Sequence, residues 1–453
     1  MLLKLFEEVV LLLWGGYLGS DGLQFGYKVG ASTTQCTWLV QEVVQHYLRH
    51  GSHPLVAVLD CSRAFDLARW STLFSRVLAK GVPPVVVRAL VFMYEEQNAW
   101  VQWGEARSER FGVQNGTRQG SKISPALWST YCDPLLARLR LLGVGCRMGA
   151  GGLWVGACLY CDNLLLMAPN RQAMVLMLRE CEKFAEESNI TFSTDPNPQK
   201  SKSKLIFMCG SKSNMSKPEQ ISLCGSPLPW VASASHLGHT LHESGLMDSD
   251  IQEKKAQFIS QSLNVRETFK FASPVEVLGA LNTYCSAYYG CLAGWDLSGE
   301  LANQFYNCWK TNVKLAWAVP RATRTYLVQQ VLTCGYTSAR TDILARFVKF
   351  FQSLLVAPSH EVRTVALMVA WDLRTTTAKN LDLVRQETNM DPWTVKSPVI
   401  KRELKLKELV VVDSEDEWRV AYLTKLLEHR QELYYNSIEF HDIDALLQSL
   451  CIN

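Results

Sequence analysis

Tyr160-Cys161-Asp162-Asn163 lies between two short, uncharged segments, residues 153–159 and 164–168. Both segments are too short for independent helices and are typical of paired strands buried on both faces. The sequence therefore predicts a β-hairpin that carries Asp162 at its tip, on a rigid element that can hold a carboxylate in a fixed position. The alternative is an ordinary Asp-Asn turn, because both residue types favour turns by bonding their own backbone.

A second apolar segment, Leu55-Val56-Ala57-Val58-Leu59-Asp60, has the pattern of a buried strand that ends in a carboxylate. A helix is predicted onward from Trp70. Two strands that each end in an Asp can share a cation, and hard oxygen ligands are what Mg²⁺ requires. A pair of Mg²⁺ ions about 4 Å apart can activate a primer 3′ hydroxyl and stabilise a leaving pyrophosphate. The alternative is that Asp60 is a loop residue or a helix N-cap.

A glycine-rich segment, residues 112–125, lies between the two Asp strands in the sequence. Its glycines allow the backbone to approach a ligand closely, and Arg118, Gln119 and Lys122 can bond phosphate or sugar oxygens. The alternative is a plain loop that precedes a helix, which the sequence predicts over residues 126–139. The position of the segment between the two carboxylates favours the binding interpretation.

Taken in order, these segments resemble the reverse transcriptase domain of non-LTR (LINE-type) retrotransposons. The resemblance covers residues 24–238, about half of the chain. It is carried by six segments in the family's order, namely the fingers-like residues 24–34, the strand ending in Asp60, Arg118-Gln119-Gly120, the Tyr160 turn, residues 197–202 with the strand-like 205–208, and Trp230-Val231 with His236-Leu237-Gly238.

The resemblance implies an α+β fold, a right-hand polymerase palm with partial fingers, followed by an α-helical thumb and a helical C-terminal region. We expect partial fingers over residues 1–50, the palm over 51–245, the thumb over 246–355, and a C-terminal helical region of unknown role over 356–453. The implied activity is that of an RNA-directed DNA polymerase. Its partners would be an RNA template, a DNA primer and deoxynucleotides, and its cofactor would be two Mg²⁺ ions.

The resemblance also assigns catalytic roles. Asp60 would be the metal ligand of the first strand, and Asp162 would be the first carboxylate of the metal-binding turn, with Asn163 beside it. Lys200 or Lys202 would lie near the departing pyrophosphate, and the sequence does not choose between these two lysines.

Nucleotide contacts are assigned in the same way. Phe65 would lie under the incoming sugar and exclude a 2′ hydroxyl, which favours deoxynucleotides. Arg118, Gln119 and Gly120 would contact the incoming nucleotide and the template.

Two departures from the family's pattern favour a loss of activity. The family's turn ends in two Asp residues, and an amide at Asn163 neutralises less charge, which can cost several kcal/mol of transition-state stabilisation. The sequence also begins just before the fingers motif, without the family's more N-terminal fingers strands and without an endonuclease domain. We therefore expect a truncated element, and a catalytically inactive nucleic-acid-binding protein or an unstable relic stands as the alternative to a working polymerase.

Beyond the palm, the pattern becomes helical. Residues 249–272 carry Lys254 and Lys255, and residues 300–318 place Lys310 and Lys314 beside Trp309 and Trp317. In the family this region is the thumb, which grips the template-primer duplex by its backbone, and basic residues beside aromatic ones suit that contact. The alternative is that these lysines bind nothing, because a soluble helix normally carries lysine and arginine on its solvent-exposed face.

Composition is compatible with an intracellular nucleic-acid enzyme. The chain has 453 residues, of which 48% are hydrophobic, and a formal net charge of +3, so a nucleic-acid surface would depend on local patches. No secretory signal is recognised, and the 14 cysteines are expected to be reduced, in the nucleus or cytoplasm. Lys4, Glu7 and Glu8 interrupt the apolar residues 1–18, which excludes a membrane helix and favours an amphipathic packing helix.

Two sets of residues could suggest zinc. His236, His239 and His242 are closely spaced, and Cys158 and Cys161 form a single Cys-x-x-Cys pair. Neither set has a matching second pair, so we expect core or surface positions for these side chains instead of metal ligation.

Overall fold

The computed structural model describes residues 2–62, 64–195, 197, 199–210, 215–272, 274–285, 292–316 and 338–408. Trp317 and the residues after 408 lie outside these ranges. The chain divides into two compact units, one formed by Met1–Leu246 with Leu354–Met368 and the other by Met247–Ser353 with Val369–Asn453. The division expected from the sequence, into fingers, palm, thumb and C-terminal region, stays a prediction.

Helices and strands alternate through the first unit. Its described helices are α1 (Leu2–Trp14), a 3-10 turn (Gly15–Leu18), α2 (Thr33–Arg49), α3 (Ala64–Leu67), α4 (Trp70–Ala79), α5 (Pro84–Glu95), α6 (Ser124–Leu141) and α7 (Arg171–Ser188). Its described strands are β1 (Leu55–Ser62), β2 (Asn98–Ala99), β3 (Gln102–Trp103), β4 (Ala106–Arg107), β5 (Phe111–Gly112), β6 (Arg147–Met148), β7 (Leu153–Trp154), β8 (Ala157–Tyr160), β9 (Asn163–Ala168), β10 (Thr191–Phe192), β11 (Lys204–Phe207), β12 (Ser222–Leu223), β13 (Ser226–Pro227), β14 (Ser233–His236) and β15 (His239–His242).

A five-stranded antiparallel sheet forms the centre of this unit. Strand β1 pairs with β9 on one side and with β11 and β10 on the other, while β8 pairs with the far edge of β9. Residues 55–59 of β1 and 164–168 of β9 are buried, as expected for uncharged strands that are covered on both faces. Helices α2, α6 and α7 pack against the sheet.

Local sequence explains where these helices begin and end. The Asn170 side chain accepts the backbone N–H of Ala173 at 2.9 Å and caps α7, and Asn189 ends the helix in the left-handed conformation. Ser32 caps α2 in the same way. The helices predicted from Trp70 and over residues 126–139 are confirmed as α4 and α6.

The hairpin predicted around Asp162 is confirmed, with one correction. Strands β8 and β9 pair in antiparallel register across a two-residue turn. The strand predicted over 153–159 is interrupted, because Val155 leaves the hairpin ladder and donates its N–H to the Cys146 carbonyl at 2.9 Å. The interruption separates β7, which pairs with β6, from β8.

A charged cluster joins the segment 354–368 to the rest of the first unit. The Arg140 guanidinium lies 3.1 Å from an Asp21 carboxylate oxygen and 3.0 Å from a Glu361 carboxylate oxygen. Burial raises the pKa of the Asp21 carboxyl, although a backbone N–H and Arg140 oppose this shift. The segment therefore returns to the unit that holds the sheet, although the chain between forms part of the second unit.

The second unit is helical where it is described. Its helices are α8 (Asp248–Thr268), α9 (Pro274–Tyr284), α10 (Glu300–Ala316), α11 (Ala339–Leu355), α12 (His360–Ala370), α13 (Thr376–Thr388) and α14 (Ser397–Glu408). The last two residues of α11 and most of α12 belong to the first unit. Helices α8 and α10 pack together through Phe258 and Phe305, whose ring centroids are 5.6 Å apart. Helices predicted over 249–272 and 300–318 are confirmed by α8 and α10 within the described residues. Across the described ranges, no helix combines the length and the apolar character that crossing a membrane requires.

The buried His236 makes stability depend on pH. His236 is 3% exposed, and among the described residues neither ring nitrogen has a hydrogen-bond partner. Burial, assisted by the nearby His239, lowers the pKa of His236 to about 3. The unfolded chain binds this proton near pH 6.5 and the folded chain does not, so stability is present above pH 6.5 and is lost progressively as the pH falls toward 3.

We predict that His236→Leu reduces the pH dependence of unfolding. The free energy of unfolding of the unsubstituted chain should fall between pH 7.5 and pH 5.5, and this fall should be about 1 kcal/mol smaller in the variant. Urea titrations at both pH values measure the difference. His50→Gln is the control, because it removes a histidine whose side chain is exposed. Equal pH dependence in His236→Leu and the unsubstituted chain would contradict the prediction.

Candidate active site

The β8–β9 turn and the end of β1 bring two carboxylates together. Asp60 of β1 lies directly opposite Asn163 of β9, and Asp162 occupies the turn immediately before Asn163. Because the two strands are neighbours in a buried sheet, both carboxylates are displayed at the same end of that sheet. This is the arrangement that the two apolar segments predict.

The turn is held by side chains from distant parts of the sequence. Cys161 has a φ of +60°, the sign that tight hairpin turns require at their first central residue. Its N–H donates to Gln24 Oε1 at 3.3 Å, and its carbonyl accepts the Trp128 indole N–H at 3.0 Å. The Gln24 and Trp128 side chains are both buried, so the backbone of Cys161, the residue before Asp162, is held at both its N–H and its carbonyl by bonds shielded from water.

Residues 25–27, which are distant in the sequence, approach the β8–β9 turn closely. Phe25 donates its N–H to the Leu159 carbonyl at 2.8 Å, and Gly26 faces the backbone of Cys161. A Cβ on Gly26 would lie 2.5 Å from both the backbone nitrogen and the Sγ of Cys161. Tyr27 places its hydroxyl beside the Cys161 thiol, and burial raises the pKa of that thiol to about 12, so it stays protonated.

The two carboxylates repel each other electrostatically. Burial raises the pKa of the half-buried Asp162 carboxyl, a backbone hydrogen bond opposes this shift, and the nearby charge of Asp60 raises the pKa further. The Asn163 amide donates to Asp162 Oδ1 at 3.2 Å. The Lys202 ammonium lies 3.7 Å from Asp60 Oδ2.

The structure separates the two lysines that the sequence left open. Lys202 lies beside Asp60, whereas the side chain of Lys200 is exposed and the contact described for that residue is from its backbone to Asn197. The distinction follows from Ser201 and Ser203, which are buried on either side of Lys202 and fix the local direction of the chain.

The glycine-rich segment lines a cleft with four of the predicted nucleotide-binding residues. The cleft has a volume of about 270 Å³. Its walls include Phe65, Arg118, Gln119, Gly120 and the exposed Tyr27. The cleft thus lies between Phe65 of α3, the helix after β1, and Tyr27, which contacts the β8–β9 turn.

Backbone bonds hold the glycine-rich segment against the short helix α3, which carries Phe65. Thr117 donates its N–H to the Phe65 carbonyl at 2.7 Å, and Gly116 donates to the Ala68 carbonyl at 2.8 Å. Gly116 has a φ of +91°, and a Cβ there would lie 2.9 Å from the Phe65 carbonyl oxygen. Only glycine allows this close approach without strain.

Helix α1 supports the same segment from its other side. The buried Glu7 carboxylate accepts the Ser121 hydroxyl at 2.8 Å and the backbone N–H of Lys122 at 2.9 Å. The Lys122 ammonium bonds to Glu8. Lys122, which the sequence offered as a phosphate contact, is thus engaged by a carboxylate of α1.

Trp128 connects the cleft with the turn, and sequence reasoning did not identify it. Its ring centroid lies 4.8 Å from that of Phe65, and its N–H bonds to the Cys161 carbonyl. On the sequence it is one of many apolar residues of a predicted helix. No local pattern distinguishes it, because its partners lie 33 and 63 residues away along the chain.

The predicted thumb lysines lie in the second unit. Lys254 and Lys255 are half-buried residues of α8, and the Lys255 ammonium donates to Gln304 Oε1 at 3.1 Å. Lys310 and Lys314 lie one turn apart on α10, where Lys314 is 9% exposed. Burial and then the charge of Lys310 lower the pKa of Lys314. A buried ammonium is a poor surface contact for phosphate, which weakens the expectation for Lys314.

Asp60 and Asp162 are the oxygen ligands that this site offers to a metal. Within the ranges described, no cluster of three or more His, Cys, Asp or Glu side chains is arranged to hold an ion. The thiols of Cys158 and Cys161 are buried.

A buried antiparallel sheet with paired carboxylates at its end, beside a cleft lined by an aromatic ring and Arg-Gln-Gly, defines a polymerase palm. Residues 17–241 match the family model described as reverse transcriptase (RNA-dependent DNA polymerase). The chain is also similar to the Pol polyprotein of retrotransposable element R2 from Nasonia vitripennis, with 25% identity over 188 residues, and to that of R2DM from Drosophila melanogaster, with 26% identity over 175 residues.

These matches cover 42% and 39% of this chain, and 18% and 16% of the two relatives, so the chain spans less than a fifth of the length of the curated relatives it matches. Among solved structures, a telomerase from Candida tropicalis is similar at a TM-score of 0.39 with 11% identity, over 80% of this chain and 56% of that one. The family match and the R2 relatives show that the chain contains a reverse transcriptase domain of the non-LTR retrotransposon type, a domain that descends from RNA-directed DNA polymerases. Domains of this family generally use divalent metal ions.

We predict that Gly26→Ala destabilises the site. The added Cβ would collide with the Cys161 backbone, and the overpacking should lower the free energy of unfolding by about 1–3 kcal/mol. Urea unfolding measures the loss. Gly16→Ala is the matched control, since a Cβ at Gly16 meets nothing within 4 Å and its effect should stay within about 0.5 kcal/mol. Equal stability of the two variants would contradict the close approach of Gly26 to the turn.

Proposed function

We propose that this chain extends a DNA primer with deoxynucleotides on an RNA template, at a rate reduced by Asn163. One observation carries the proposal, namely the cleft that gathers Phe65, Arg118, Gln119 and Gly120 on one side of Trp128, with the Asp162 turn on the other. Trp128 contacts both Phe65 and the turn, so a nucleotide bound in the cleft would lie with its phosphates toward the carboxylates. The reaction would take place in the nucleus or cytoplasm, where an RNA template and deoxynucleotides are present.

Asp60 and Asp162 fit two Mg²⁺ ions in the chemistry of their donors. Both present hard carboxylate oxygens, and the charge of Asp60 raises the pKa of Asp162, a repulsion that a bound cation would relieve. When bound, Mg²⁺ would activate the primer 3′ hydroxyl and neutralise charge on the leaving pyrophosphate. Asn163 offers an amide oxygen beside them, which neutralises less charge than a carboxylate.

The remaining residues would position the substrate. We assign Phe65 to the face of the incoming sugar, where its ring, braced by Trp128, leaves little room for a 2′ hydroxyl. Arg118 would bond phosphate oxygens, and Gln119 and Gly120 would contact the nucleotide and the template base. Of the two candidate lysines, we assign Lys202 to the pyrophosphate, because its ammonium already lies near Asp60.

A second candidate function is a nucleic-acid-binding protein without catalysis. Asn163 favours it, because its amide donates to Asp162 while Lys202 faces Asp60, so each carboxylate has a partner without a metal. In this case the half-buried Lys254, Lys255 and Lys310 of the second unit would contact a duplex backbone, with Lys314 contributing least.

We predict that Asn163→Asp increases primer extension on an RNA template with Mg²⁺. A second carboxylate restores charge at the turn, and kcat should rise by a factor on the order of 100 over a slow unsubstituted chain. Asp60→Ala should abolish extension in both backgrounds, whereas Asp66→Ala is the control, because Asp66 is an exposed carboxylate on the neighbouring turn.

Three outcomes of that assay separate the alternatives. Extension that survives Asp60→Ala would contradict the metal assignment. Equal rates for the unsubstituted chain and Asn163→Asp would show that the amide suffices. No extension by either chain, together with binding of a template-primer duplex, would establish the non-catalytic function.

We predict that Phe65→Val relaxes sugar selection. In the Asn163→Asp background, the preference for deoxynucleotides over ribonucleotides, measured as the ratio of kcat/KM values, should fall by a factor on the order of 10, because the smaller side chain admits a 2′ hydroxyl. Phe92→Val is the matched control, since Phe92 is an exposed residue of α5. An unchanged ratio in Phe65→Val would place the sugar elsewhere.

A further inference from the structure

A β-hairpin arm, residues 97–113, extends between α5 and the glycine-rich segment. Its base is closed by the pair β2–β5 and by the Val113 N–H, which donates to the Gln97 carbonyl at 3.0 Å. Its outer part is the pair β3–β4, whose strands are joined by Gly104 at a φ of +59°. The arm therefore leads directly, within the chain, into the segment that lines the nucleotide cleft.

The arm exposes four large apolar side chains to solvent. Trp103 is 87% exposed, and Trp100, Val101 and Phe111 are also exposed. A two-stranded hairpin is marginally stable alone in water, and a cluster of exposed apolar groups marks a contact surface. The exposed aromatic rings of this surface can stack on a ligand that has flat faces.

Two guanidinium groups of the arm face an indole. The guanidinium carbon of Arg107 lies 3.8 Å from the ring centroid of Trp100, and that of Arg110 lies 5.6 Å from it. Glu105 and Glu109 lie on the same hairpin, yet over the described part of the chain no ion pair joins either arginine to a carboxylate. The arginines keep their donors available while they stack.

We propose that the arm binds an unpaired strand of nucleic acid, the template near the cleft. Bases would stack on Trp103 and on the Trp100–Arg107 pair, and Arg107 and Arg110 would bond phosphate oxygens. This inference rests on the proposed function, because it takes the strand in the cleft and the strand on the arm to be one. Alternating indole and guanidinium groups suit bases and phosphates together, which favours nucleic acid over a protein partner.

The formal charge of the arm indicates which interaction contributes most to the contact. Two arginines and two glutamates give residues 97–113 a formal net charge of zero, so few counterions would be released on binding. Stacking therefore carries the contact, and the contribution of Trp103 should be the same at low and high salt. Stacking also requires unpaired bases, so a blunt duplex should gain nothing from Trp103.

The test is equilibrium binding of the full chain to a fluorescein-labelled single-stranded RNA of 15 nucleotides, without Mg²⁺ and without nucleotides. Trp103→Ala should weaken binding by a factor of about 5 or more at both 50 mM and 200 mM salt, and should leave binding to a blunt duplex of the same sequence unchanged. Trp371→Ala is the matched control, because Trp371 is 77% exposed and lies outside the arm. Thermal unfolding of each variant checks that the fold is kept.

Four outcomes would overturn the proposal: unchanged RNA affinity in Trp103→Ala, an equal loss in Trp371→Ala, an equal loss for the duplex, or a change in oligomeric state with RNA affinity preserved. The last would make the arm a protein contact. A second measurement uses the same RNA with 4-thiouridine, which on irradiation should cross-link to residues 97–113 of the unsubstituted chain. The absence of cross-links to the arm overturns the proposal as well.

The two proposals fail in different ways. Strand binding that depends on Trp103 in a chain that never extends a primer would support the arm and contradict the polymerase activity. Extension that proceeds with an unchanged RNA affinity in Trp103→Ala would contradict the arm alone. A chain that binds no RNA would contradict both.

Discussion

The register between β1 and β9 is the constraint on which the site depends. Burial of the apolar residues on both strands sets this register, and it places Asp60 opposite Asn163 and next to Asp162. A slip of one residue would turn Asp60 toward the other face of the sheet and would place its apolar neighbours in the wrong environment. The hydrophobic core thus does more than stabilise the fold, because it forces two carboxylates to share one end of the sheet despite their mutual repulsion.

Around that sheet, buried polar side chains form hydrogen bonds with the backbone of other segments. Gln24 accepts the Cys161 N–H, Trp128 donates to the Cys161 carbonyl, and Glu7 accepts hydrogen bonds from the glycine-rich segment. Each such bond contributes about 1 kcal/mol, and the loss of one partner would leave a buried group unsatisfied at a cost of about 1–3 kcal/mol. The rigidity of the turn and of the cleft therefore comes from contacts between segments that are distant in the sequence.

Asn163 changes the electrostatics of an otherwise intact arrangement. Its amide can donate a hydrogen bond to Asp162, which a carboxylate could not do, so it partly neutralises the repulsion between Asp162 and Asp60 without a metal. An amide at this position also brings no negative charge to attract a cation, whereas a carboxylate would bring one. The Asn163 side chain thus offsets part of the repulsion at the turn and leaves one charge fewer at the end of the sheet.

The sequence by itself determined the strands that carry the two carboxylates, several of the helices and the order of the motifs, because apolar periodicity and turn residues act over a few neighbouring positions. From these it predicted the hairpin around Asp162, the strand ending in Asp60 and the helix after the glycine-rich segment. Only the tertiary structure decided which lysine lies beside Asp60, that β8 begins after a break at Val155, and that Trp128 joins the cleft to the turn. These features depend on side chains far apart in the sequence, and their packing energies are not encoded in any local pattern.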